Sequence, residues 1–140
     1  MGRSGYSEDY GDDHPGQIWL YRSAVRQAFS GKRGRAFMLE LLEALDAMPE
    51  KRLIAHELQH DGAVCAIGSV GAKRGTKMDD LDPEEADVIA KRFGLAECMV
   101  REIAFVNDDD FADRSNETPE NRFARVRRWV VGQIEKPGSE

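Results

Sequence analysis

Cysteine is scarce in this chain, with 2 in 140 residues. Cys65 and Cys98 each lie in an apolar segment and read as small core hydrophobes. A disulfide framework would need more cysteines and an oxidising compartment. No apolar run approaches the length that crosses a bilayer. The opening segment MGRSGYSEDYGDDHPG lacks the hydrophobic region of a secretory signal, and Tyr6 stands where a myristoylation site has Ser or Thr. The expected location is therefore the cytoplasm. Positive charge is also in deficit: 20 basic against 26 acidic side chains give a formal charge of -6. That disfavours generic attraction to nucleic acid or anionic membrane. The turn GKRG (Gly31 to Gly34) is no phosphate loop, because Arg33 replaces the Ser or Thr and the upstream glycine is missing.

What is present suits one globular unit: 41% hydrophobic and 33% charged residues in a chain too short for two comfortable cores. Residues 1–16, rich in Gly, Asp, Ser and Tyr, read as a flexible tail. Residues 17–136 read as a single helical domain and 137–140 as a flexible end. The expected fold is all-α, a compact bundle of about six helices. After Pro15, the residues Ile18, Tyr21, Val25, Ala28 and Phe29 recur at helical spacing, and Gly31 stops that helix. Met38, Leu41, Leu42, Leu45 and Met48 mark the next, which Pro49 ends. Leu53 to His60 shows no two-residue alternation, so a short helix closed at Asp61-Gly62 is favoured, with a hairpin near 53–65 as the alternative. The stretch from Ala63 to Gly75 reads as a buried central helix, its Gly68 and Gly71 admitting a neighbouring helix. Asp82-Pro83-Glu84-Glu85 predicts a helix opening with Asp82 as N-cap. That helix runs to Phe93 and Gly94, and another follows from Leu95 to about Val106. Residues 107–117 read as a polar loop. Thr118-Pro119-Glu120 then opens a last helix with a core stripe of Phe123, Val126, Val130 and Ile134.

Three motifs carry candidate chemistry. His56-Glu57-Leu58-Gln59-His60 matches HExxH. On a helix, His56 and His60 fall one turn apart and could share a zinc ion, with Glu57 as the base on a metal-bound water and Glu84 or Glu85 as third ligand. This would make the chain a zinc-dependent peptidase, but Asp61-Gly62 ends the segment at the second histidine and no histidine follows. The favoured reading is that no metal and no cofactor is required. The segment from Ile89 through Gly94 to Ile103 has helix-turn-helix spacing and suggests a DNA-binding regulator as a second alternative. Its reading face, with Ala96, Glu97, Arg101 and Glu102, is poor in the cations that phosphate contacts need. The last helix carries Arg122, Arg125, Arg127 and Arg128 beside Trp129, with Arg125 and Trp129 placed to stack. Together with Lys32, Arg33 and Arg35 this is the expected contact surface, centred on Arg122, Arg125, Arg128 and Trp129. Asp108, Asp109, Asp110 and Asp113 lack the spacing and glycine of a calcium loop.

The segments MGRSGYS, GKRGRAF, LEALDAMPEKRLIA, GAVCAIGSVGAKRG, LDPEEADVIAKRFGLA, EIAFVNDD and TPENRFARVRRWV together resemble a family of small hypothetical proteins of tailed bacteriophages and prophages. The resemblance spans nearly the whole chain. It implies an accessory phage product working inside a bacterium, one that binds a host macromolecule or a host-defence component or ligand. It brings no catalytic residues. No complete catalytic constellation can be assembled from the chain, so the expectation is a non-enzymatic binding protein, for which a homodimer would also suit the small size.

Overall fold

The computed structural model describes residues 2–6, 15–109 and 112–136, with side chains from Trp19 onward in the first helix. Asp110, residues 137–140 and most of the segment read as a tail lie outside the described residues, as does the side chain of Ile18. The fold is all-α, with six helices and one two-stranded antiparallel hairpin among the described residues. The helices are α1 (Pro15–Ser30), α2 (Lys32–Ala47), α3 (Ala66–Arg74), α4 (Ala86–Phe93), α5 (Glu97–Asp108) and α6 (Pro119–Glu135). The strands β1 (Gln59–His60) and β2 (Ala63–Val64) precede α3.

Local sequence explains most boundaries. Thr118 caps α6 by accepting from the Asn121 N–H at 3.1 Å, and Pro119 occupies its first turn, where a missing N–H costs nothing. Gly94 ends α4 in the left-handed region (φ 75°), a conformation that glycine adopts without a Cβ penalty. The helix-turn-helix-like pair α4–α5 is formed as expected. Helix α3 is central: every residue from Ala66 to Gly71 is buried, and it packs against α2 and α5. The other helices contribute Leu41, Leu45, Ile89, Phe93, Ile103, Phe123, Val126 and Val130 to one continuous core.

The structure departs from the sequence reading in four places. Leu53 to His60 is not a helix. Its donors go elsewhere: Leu53 N–H to the Pro119 carbonyl (3.0 Å) and Ile54 N–H to that of Val64 (2.9 Å). His56 (φ 71°), Asp61 (φ 49°) and Gly62 (φ 83°) all take positive φ. Asp61-Gly62 is the two-residue turn of a hairpin pairing His60 with Ala63, a turn type that requires positive φ at both positions. The hairpin alternative was the correct one. Helix α3 consequently starts at Ala66, with Cys65 as N-cap. Asp82 caps a turn rather than the helix: its carboxylate accepts from the Glu84 N–H at 2.9 Å, and α4 begins only at Ala86. Finally, α5 continues through Asn107 and Asp108, both buried, where a polar loop was expected.

Candidate functional site

The HExxH box no longer has the geometry that made it a zinc motif. His56 and His60 are exposed and sit at a bend and on a strand, so the one-turn spacing of their rings does not apply. His60 Nδ1 lies 3.6 Å from Glu57, and His56 Nδ1 lies 3.7 Å from Asp108. Glu84 and Glu85 are exposed ahead of α4. Among the described residues, no group of three His, Cys, Asp or Glu side chains is arranged to hold a metal ion.

The arginines of α6 mostly turn inward. Arg122 is 6% exposed and donates to the Asn107 carbonyl at 3.0 Å. Arg125 donates to the carbonyls of Val106 (2.5 Å) and Asn107 (3.1 Å) and forks onto Glu117 at 2.7 and 2.9 Å. Cations at the last carbonyls of α5 satisfy acceptors that have no partner within the helix and oppose its dipole. Trp129 packs edge-on against Phe29, with ring centroids 5.7 Å apart, instead of stacking on Arg125. Arg127 pairs with Asp46 at 2.7 Å. Arg35 donates to the Ile134 and Lys136 carbonyls at 3.0 Å, closing the end of α6. Of the expected contact residues, Arg128, Lys32 and Arg33 remain exposed.

Behind these arginines lies a polar centre that sequence reasoning missed. Asn107, fully buried, accepts from the Ala66 N–H (3.1 Å) and donates to the Ile54 carbonyl (2.9 Å), so one amide ties α5, α3 and the 53–58 segment together. Asp108 accepts from the His56 N–H (3.0 Å) and from the Asn107 amide (2.9 Å). Its remaining capacity is taken by Arg3, which forks onto it at 2.7 and 2.8 Å and also donates to Cys65 Sγ at 3.5 Å. Arg3 is 5% exposed, so residues 2–6 lie against the body instead of hanging free as tail composition suggested. The signal that could have found Asn107 and Asp108 is their phase. They follow Val100, Ile103 and Ala104 at seven and eight residues beyond Val100, on the buried stripe of α5.

Burial is the largest influence on Asp108 and opposes its ionisation. The Arg3 hydrogen bonds and charge, with the His56 N–H and Asn107 amide, outweigh it, so the carboxyl is held below its ordinary value. A folded pKa below the unfolded one gives stability that is complete above the unfolded value of about 3.9 and is lost as pH falls through the folded one. In Arg3→Ala, burial acts unopposed by the guanidinium and raises the folded pKa of Asp108, so this carboxyl's acid loss should shrink or reverse. The variant should be less stable than wild type at about pH 7, and the gap should narrow as the pH falls. Urea midpoints from about pH 3 to about pH 7 check this, and a gap between the two proteins that stays constant or widens on acidification would contradict it.

Two further surfaces bear on binding. On α5, Arg101 pairs with Glu97 at 3.1 Å and donates to the Ser4 carbonyl at 3.1 Å, while Glu102 accepts from Tyr6 Oη at 2.8 Å. Two of the positions expected to read DNA are thus engaged by the N-terminal residues. On α1, Trp19 and Leu20 are 62% and 63% exposed. Arg22 and Arg26, also exposed, follow Trp19 by three and seven residues and so share its ridge. Lys32 and Arg33 continue the positive charge just past Gly31. No helix among the described residues is long and apolar enough to cross a membrane. Comparison with protein-family models, curated proteins and solved structures gives no match for this chain.

Proposed function

We propose that this chain is a non-enzymatic binding protein of phage origin that acts in the bacterial cytoplasm on a host or defence-system protein, through the outer face of α1 and the turn into α2. The observation that carries this reading is Trp19. A tryptophan 62% exposed on a helix whose opposite side is packed is large apolar area left for something else to cover. Trp and Arg are the side chains most often responsible for binding energy at protein interfaces. Arg22, Arg26, Lys32 and Arg33 beside it, all exposed, suit an acidic partner surface. The resemblance to small tailed-phage proteins supports the bacterial setting.

The test is affinity capture from bacterial cytosol with wild type and with a Trp19→Ala, Arg26→Ser variant in parallel. Neither substituted side chain supports the core, so both proteins should fold alike by circular dichroism. A stoichiometric partner held by wild type and lost by the variant is expected. Capture by neither protein, or equal capture by both, would remove the assignment to this face. Retention of nucleic acid in a salt-sensitive manner would instead favour the DNA-binding alternative.

A further inference from the structure

Residues 2–6 occupy the body of the protein as a bound peptide would. The Gly5 N–H donates to the Gly2 carbonyl at 3.0 Å, closing a tight turn that presents Arg3 inward. Gly5 holds φ +76°, a conformation available to it as glycine. Three residues after Arg3, Tyr6 lays its ring on Phe105 (centroids 4.8 Å apart), and its hydroxyl joins Tyr21 (2.6 Å) and Glu102 (2.8 Å). Arg101 holds the intervening Ser4 carbonyl. The arginine end of this groove is also held by groups outside the arm. Asp108 is fixed by the His56 N–H and the Asn107 amide, and Cys65 Sγ by the Gly68 N–H at 3.4 Å. A buried carboxylate already oriented for two parallel N–H donors is a preorganised guanidinium site. Tyr21, two residues from Trp19 on a helix, faces the opposite side of α1, so the groove and the proposed contact face are separate.

We propose that this groove is a peptide-binding site for segments carrying arginine followed three residues later by an aromatic residue, and that the chain's own residues 2–6 are its resident competitor. A tethered competitor acts at an effective concentration in the millimolar range, so a peptide arriving from solution gains access chiefly when the arm's arginine is weakened. Fork geometry makes the site selective: a lysine offers charge without the two parallel donors.

The probe is the peptide GRSGYS, residues 2–7 of this chain, labelled and titrated by fluorescence anisotropy into full-length wild type, Arg3→Ala and Arg3→Lys proteins. Saturable binding to both variants is expected, weaker by about tenfold or more in wild type. It should disappear when the peptide arginine is changed to lysine, or when Asp108→Asn is added to either variant. If Arg3→Ala is unfolded on its own, the same peptide should restore its helical circular dichroism, and Arg3→Lys supplies the folded titration. Absence of saturable binding to the folded variant overturns the proposal. So does binding indifferent to Asp108→Asn.

Discussion

Replacing Glu117 with Ala should lower the unfolding free energy by roughly 3–5 kcal/mol, the loss typical of removing one partner from a buried ion cluster. The Glu117 side chain is 9% exposed and faces three guanidinium groups: Arg125 at 2.7 Å, Arg122 at 3.3 Å and Arg114 at 3.8 Å. Without the carboxylate, these cations repel one another in a site that water reaches poorly. Burial already pulls the Arg122 pKa down, and the Glu117 charge is the main influence opposing that. The damage should spread, because Arg122 and Arg125 also close the last carbonyls of α5, on the residues that build the polar centre. Glu117→Gln keeps an acceptor while removing the charge and should fall between wild type and Glu117→Ala. Urea denaturation of the three proteins at neutral pH is the measurement. A change below about 1 kcal/mol would mean that the cluster behaves as a solvated surface pair.

The same residues show why parts of this protein were legible in its sequence and others were not. Helix ends set by local chemistry were readable: Thr118-Pro119, Gly94 and Gly75 each solve a capping problem within a few residues. So were the core stripes, because Leu41 with Leu45 and Val126 with Val130 repeat at one helical turn and are buried. The 53–65 segment was misread because Asp-Gly both stops helices and turns hairpins. The deciding hydrogen bonds come from Val64, Pro119 and Asp108, at distances along the chain that periodicity does not reach. Arg3 gave no local signal: it is flanked by Gly2 and Ser4, and its partner Asp108 is 105 residues away. The α6 arginines were misjudged in a more instructive way. Arg122 precedes Val126 by one turn and so lies on the buried stripe, a position where a cation implies a buried acceptor. Phase, given more weight than charge, would have turned Arg122 and Asn107 inward from sequence alone.

Gly68→Ala tests the other lesson of the 53–65 segment, namely what the small residues of α3 are for. The sequence suggested that Gly68 and Gly71 let a second helix approach. In the structure, Gly68 faces backbone: a Cβ there would run into the Leu58 carbonyl and crowd the Val64 side chain at 3.1 Å. That carbonyl accepts from the Cys65 N–H at 3.1 Å, so it cannot retreat without opening the turn that leads into α3 and loosening the N-cap. Overpacking usually costs roughly 1–3 kcal/mol, and here the obstacle is main chain, so the expected loss lies at or above the upper end of that range. Gly71 provides the internal control. A Cβ at that position meets Met78 Sδ and Cε and the Phe93 ring edge, and a methionine side chain can move aside. Gly71→Ala should therefore cost distinctly less than Gly68→Ala, although both glycines are buried on the same helix and both substitutions raise helix propensity. Equal losses in denaturant melts, or a larger loss at Gly71, would mean that α3 is packed against side chains along its whole length and that the hairpin does not rest on it through the Leu58 main chain.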